Sequence, residues 1–236
     1  MLPEEGNPRP LDSPIGRHRS HSFHSPPSPR RAREYERDAR SLDFDAQSII
    51  DPLLALPRRA LTETFTPALS WDVIYSPAHA LREHREIAQG DLLRPAACLG
   101  SPYSTYGARP LRAFTLVVPL LPAHAQTIVV AAGADHAYAS VWDALDALYC
   151  ALRVPVGAAE LGALGAREQA ALLQAAEERG VRFQEDARRV RDGLLRVDYL
   201  GRRRMFIGIR PAAGWEVPRG LPMEEVFVVE LEKSGR

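Results

Sequence analysis

Residues 140–156 read SVWDALDALYCALRVPV, and this segment limits what the rest of the chain can be. Val141, Trp142, Leu145, Leu148, Tyr149 and Leu152 recur at offsets of three and four, which puts them on one stripe of an α-helix. Ser140 stands where an N-cap hydroxyl takes up an unpartnered first-turn amide, and Asp143 occupies the reciprocal position three residues on. Asp143 and Asp146 sit in the half of the helix where its dipole favours negative charge, and Arg153 lies at the other end. Pro155 stops the run and pushes Val154 toward an extended conformation. A helix with one apolar face is stable only when that face lies on another layer, so a second layer must exist.

That layer is written in short alternating segments. In LSWDVIYSP, Trp71, Val73 and Tyr75 point one way, and Asp72 and Ile74 the other. RAFTLVVPL and QTIVVAA follow, joined by a turn at LPAH, with Phe114, Leu116 and Val118 alternating against Ala113, Thr115 and Val117. LLRVDYLGRRRMFIGIRP reads as two strands meeting at Gly201 and Arg202, with Leu195, Val197 and Tyr199 on one side and Phe206 and Ile207 in the return strand. EVFVVELEK has Phe227, Val229 and Leu231 facing inward, with Glu230 and Glu232 outward. Ser76 and Pro77 start a short surface helix that Gly90 stops, and residues 91–109 read as a long loop. A second helical region carries Leu161, Leu164, Leu172, Leu173 and Ala176, breaks near Gly165 and ends at Gly180. The expected fold is α+β: an antiparallel sheet of about five or six strands with helices packed on one face.

Residues 1–47 cannot share in that core. Leu2, Leu11, Ile15, Phe23, Tyr35, Leu42 and Phe44 are scattered among Pro, Ser, His and Arg, too sparse to offset the entropy of ordering. The expectation is a disordered Pro/Ser/Arg-rich tail over 1–47 and one globular domain over 48–236, large enough to bury about 70% of its extended-chain surface. In the tail, Ser22 follows Arg19 by three residues, and Ser25 and Ser28 each precede a proline, so these three are the candidate phosphorylation sites. His18, His21 and His24 would share a helix face, but Pro26, Pro27 and Pro29 follow too closely for a helix to hold them as metal ligands.

The totals remove several classes of function. Net charge is zero and the isoelectric point near 7.1, against a protein built around a nucleic-acid backbone. Lys233 is the single lysine, so 29 of the 30 basic residues are arginine; with 34 alanines, this reflects a GC-rich coding sequence before it reflects phosphate recognition. Cys98 and Cys150 are too few for a disulfide framework and fit a reducing compartment, so the expected location is intracellular, cytoplasmic or nuclear. The opening MLPEEGNPRP has neither the basic nor the apolar region of a secretory leader, and no apolar run is long enough to span a membrane.

Chemistry-bearing patterns are sparse. The chain has no Walker loop, dinucleotide glycine fingerprint, H-E-x-x-H, C-x-x-C or nucleophile elbow. A zinc site from His79, His84, His124 and Cys98 would need tertiary convergence, and neither a metal nor a cofactor is expected. The sharpest catalytic arrangement uses Cys150 as nucleophile, His136 as base and Asp135 or Asp143 as orienter, although a mid-helix cysteine lacks the N-terminal field that lowers a thiol pKa. Arg202, Arg203 and Arg204 at a tight turn, together with Asp72, are the candidate interaction residues; the plainer role of the triple is to blunt a sheet edge.

LSWDVIYSP, VWDALDALYCALRVPV and LLRVDYLGRRRMFIGI, in that order, resemble an uncharacterised family common in mushroom-forming fungi and known only as a domain of unknown function. The resemblance runs from Ile50 to Leu231, departs at the charged REHREIAQG segment, and implies no activity, cofactor or catalytic residue. The expected function is a non-catalytic intracellular domain that binds a protein partner and carries a modifiable tail. A thiol-dependent hydrolase around Cys150 and weak nucleic-acid binding through the Arg-rich tail are the alternatives.

Overall fold

The computed structural model describes residues 48–56, 67–100, 108–183 and 193–235. Its larger sheet has five strands in the order β2-β7-β8-β5-β6: β2 Trp71–Asp72, β5 Ala113–Val117, β6 Thr127–Ala131, β7 Arg203–Pro211 and β8 Val226–Lys233. A second, three-stranded sheet runs β1-β3-β4, from β1 Ser48–Ile50, β3 Ala97–Leu99 and β4 Arg109–Pro110. The five α-helices among the described residues are α1 Pro77–Glu83, α2 Gln89–Leu92, α3 Val141–Leu152, α4 Ala158–Gly162 and α5 Ala166–Phe183.

The larger sheet is mixed, which corrects the purely antiparallel expectation. β5 pairs antiparallel with β6 but parallel with β8, in the register Thr115↔Val226, Leu116↔Phe227 and Val117↔Val228. The chain leaves β7, passes through residues 212–225 and re-enters between β7 and β5. Val226, Phe227, Val228 and Val229 are all covered rather than alternating in and out, because one face of β8 lies on the main core and Ala212 and Val217 cover the other. Phe227 and Val229 join the main core, while Val226 and Val228 pack with Val117 and Ala212 in a separate small cluster.

The main core lies between the large sheet and α3. Val141, Ala144, Leu145, Leu148 and Leu152 of α3 are buried, each large side chain contributing about 1.5–3 kcal/mol of burial free energy. They meet Phe114, Leu116, Val130, Phe206 and Phe227, with the Phe114 and Phe227 rings edge to face at 5.3 Å. The reciprocal cap forms as its spacing predicts: Asp143 N–H donates to Ser140 Oγ at 3.1 Å, and Ser140 N–H donates to Asp143 Oδ2 at 2.8 Å.

Four other expectations change. The segment expected as a strand before Gly201 is a 3-10 helix, Arg196–Leu200. Its Asp198 accepts from the Leu195 N–H at 2.8 Å, and such a side-chain bond to nearby backbone competes with a strand ladder. Val197 and Leu200, three apart, then go to the core together, and Gly201 turns the chain into β7 at φ 53°. The helix opened at Pro77 ends at Glu83 with His84 as its C-cap, and Gly90 lies inside α2 rather than stopping α1. The expected loop at 91–109 holds the end of α2, all of β3 and the first residue of β4, while α5 passes Gly180 and ends at Phe183.

Gly208 is fixed by a backbone crossing. Residues 54–56 bridge to β7, with Ile209 N–H donating to the Leu54 carbonyl at 2.6 Å and Leu56 N–H to the Ile209 carbonyl at 2.9 Å. A Cβ on Gly208 would lie 2.8 Å from the Leu56 Cα, and its φ of 143° is one that other residues rarely adopt.

Candidate functional site

The ends of three helices converge on one groove. The link from β2 into α1 brings Ile74, Tyr75, Ser76, His79 and Arg82; the C-terminal end of α3 brings Tyr149 and Arg153; the last turns of α5 bring Arg179 and Phe183; Leu195 closes it. The cavity is about 470 Å³. Tyr149 is there because it stands on the shoulder of the α3 stripe, half-buried beside the fully buried Leu145, Leu148 and Leu152. The Arg153 guanidinium lies 4.8 Å over the Tyr149 ring, and its Nη2 donates to the Ile74 carbonyl. The Tyr75 ring sits 4.8 Å from His79 and 5.3 Å from Phe183, and Phe183 keeps 39% of its surface exposed.

The charge of this groove is one-sided. Its described lining holds three arginines, one histidine and three aromatic rings, and no carboxylate. Arg179 is already neutralised: its Nε donates to Asp198 Oδ1 at 2.8 Å and its Nη2 to Asp198 Oδ2 at 3.2 Å, both side chains being almost wholly buried. Its Nη2 also donates to the Gly193 carbonyl at 3.1 Å, so the pair clamps α5 onto the 3-10 helix. Arg82, exposed, donates through Nε to the Ala78 carbonyl at 3.3 Å. Neither Arg82 nor Arg153 meets a carboxylate among the described residues.

Asp198 also lines a second cavity of about 390 Å³ with Leu120, Leu121, Pro122, Leu164, Leu172 and Tyr199. Beside it the Tyr199 hydroxyl donates to Glu160 Oε1 at 3.0 Å, and His124 Nε2 reaches the same oxygen at 3.1 Å. Burial, with the Glu160 carboxylate adding, pushes the Tyr199 phenol up to about 12.

The structure separates the candidate interaction residues into exposed and covered ones. Arg202, on the turn after Gly201, and Arg203, the first residue of β7, are exposed, whereas Arg204 is buried and donates to Asp72 Oδ2 at 2.9 Å and to Ser234 Oγ at 3.3 Å. Asp72 is taken up as well, since its Oδ1 accepts from the Ile74 N–H at 3.2 Å. This Arg204–Asp72 pair ties β7 to β2 and to the segment entering the groove.

The residues of the thiol arrangement are likewise engaged separately. Cys150 is exposed on α3, and its thiol lies 3.9 Å from Asp146 Oδ2. Burial of the sulfur, with Asp146 adding, pushes its pKa up, away from the thiolate a nucleophile needs. Asp143 is held by Ser140, and Asp135 and His136 are exposed on the turn before α3. Of the zinc candidates, His79 faces Glu83, His84 faces Glu86 and the Ser70 carbonyl, His124 faces Glu160, and Cys98 sits on β3. No three His, Cys, Asp or Glu gather as a metal site among the described residues. Ser22, Ser25, Ser28, His18, His21 and His24 lie outside the described residues.

The Arg179–Asp198 pair and the groove escaped sequence reading, although one signal was present. Arg179 falls on the α5 face marked by Leu172, Ala176 and Gly180, all buried, and an arginine on a buried face requires an acidic partner.

The sequence profile of a family of unknown function, DUF6699, matches residues 69–218, and the chain belongs to that family. No curated protein and no solved structure matches it. The matched span starts at Leu69, just before β2, and ends before β8; every described groove residue falls inside it.

Proposed function

We propose that this chain is a non-catalytic protein-interaction domain whose binding surface is the groove between α1, α3 and α5. One observation carries the reading: aromatic rings and arginines meet in an open cavity on ends of secondary-structure elements that the core holds in place. Tyrosine, phenylalanine and arginine supply large contact area and directed donors at small entropic cost, the composition found where proteins bind one another. Buried ion pairs at Arg179–Asp198 and Arg204–Asp72 set the walls before any partner arrives, which lowers the ordering cost of binding. A hydrolase built on Cys150 has less support, because the thiol pKa is raised and the sulfur lies beside a carboxylate. Two free cysteines support an intracellular location. Among the described residues no helix is long and apolar enough to cross a membrane.

The test is selection of peptides from a displayed random library on the full chain, with Tyr149→Ala and Phe183→Ala as counter-targets. The expected result is a family of peptides retained by the native chain and lost on both variants. Peptides that bind all three proteins equally, or no enrichment at all, would refute the reading.

A further inference from the structure

We propose that the groove is selective for an acidic segment of its protein partner, in which a carboxylate sits between Arg82 and Arg153 and an adjoining aromatic residue stacks among Tyr75, Tyr149 and Phe183. This rests on the groove being an interaction surface and adds the chemistry of its occupant. Charge complementarity selects the occupant. Of the three arginines in the lining, Arg179 is spent on Asp198, so Arg82 and Arg153 supply the uncompensated charge. They approach from different elements, α1 and the C-cap of α3, so a group meeting both is held between two elements rather than on one flexible side chain.

Arg153 is held in place for that role. Its stack on Tyr149 and its bond to the Ile74 carbonyl fix the guanidinium. A fixed planar fork loses little entropy when it takes up a carboxylate. A basic segment would meet like charge with no acid in the described lining to receive it. A wholly apolar one would cover Arg82 and Arg153 without replacing their water, at a desolvation cost. The rings alongside leave a surface for one more: Tyr75 and Phe183 already pack on each other at 5.3 Å between centroids, and Phe183 keeps 39% of its surface exposed, where an incoming ring can stack.

The experiment measures fluorescence anisotropy of the full chain with a labelled Gly/Ser peptide in which glutamates flank a tryptophan. The comparison probes replace the glutamates by glutamine, lysine or phosphoserine, or the tryptophan by alanine. The glutamate peptide is expected to bind about tenfold more tightly than its glutamine form, with affinity falling as salt rises. Arg153→Met, which keeps the apolar stem, and Arg82→Gln are each expected to remove most of that advantage. Arg82→Glu should exchange preference toward the lysine peptide, a gain that a misfolded variant cannot produce. Equal binding of glutamate and glutamine peptides, or no exchange in Arg82→Glu, overturns the proposal. A phosphoserine peptide more than about tenfold tighter than the glutamate one also overturns it, in favour of a phosphate-reading groove. Library peptides that need Tyr149 and Phe183 but carry no acidic residue would sink this inference while leaving the interaction reading intact.

Discussion

Removing the Asp198 carboxylate is the sharpest perturbation the fold offers. Asp198 accepts two bonds from Arg179 and one from the Leu195 amide, and its side chain is 1% exposed against 4% for Arg179. Asp198→Ala removes the carboxylate that accepts two bonds from the buried Arg179 guanidinium, and losing one partner of a buried pair costs about 3–5 kcal/mol. That is a large share of the total stability of an ordinary domain, about 5–15 kcal/mol. At about 2–4 °C per kcal/mol for a chain of this size, the thermal midpoint should fall by about 6–20 °C. Circular dichroism during heating reads it, and urea titration gives an independent value. Replacing both partners, Arg179→Met with Asp198→Leu, removes the buried positive charge as well and should recover most of the loss. A midpoint within about 3 °C of the unaltered chain, or a double variant no more stable than Asp198→Ala, refutes the argument that this pair is a buried electrostatic unit.

Other outcomes follow from single sites. Gly208→Ala should destabilise by about 1–3 kcal/mol from its backbone conformation alone, with the clash on Leu56 adding to it; an unchanged urea midpoint would mean that 54–56 does not cross β7 there. Tyr199 should be the late tyrosine in an ultraviolet phenolate titration, ionising near 12, and Glu160→Gln should bring it earlier. Because its folded pKa lies above the unfolded value of 10, the stability it lends is whole below pH 10 and is lost as pH rises through about 12. Cys150, its thiol pKa pushed up by burial and Asp146, should alkylate more slowly at neutral pH than a free model thiol, and Asp146→Asn should quicken it; a faster reaction than the model thiol would revive the nucleophile reading.

The elements that were legible in the sequence are those whose burial is one-sided. The α3 stripe and its Ser140–Asp143 box needed only offsets of three and four, and the helix formed where they placed it. β8 was recognised as a strand but read as alternating, whereas four consecutive buried residues mark cover on both faces, and its parallel pairing with β5 left no local signal. Val197 and Tyr199 look alternating until Arg179, 19 residues before Asp198, draws that carboxylate into a 3-10 turn. The groove is harder still. Arg82, Arg153 and Phe183 lie on three helices or their caps, and no local pattern distinguishes an arginine left over at a helix end from one aimed at a partner. Asp72 and the 202–204 triple stood out in sequence as charges, yet Asp72 and Arg204 are consumed by one another.

Amide and side-chain NMR mapping of the full chain, titrated with the glutamate–tryptophan peptide, bears most directly on the interaction reading. The account predicts saturable shifts concentrated at Tyr75, His79, Arg82, Tyr149, Arg153 and Phe183, and their disappearance in Arg153→Met. Shifts centred instead on Leu121, Leu164 and Tyr199 around the second cavity, or spread over the exposed Arg202 and Arg203, would contradict it.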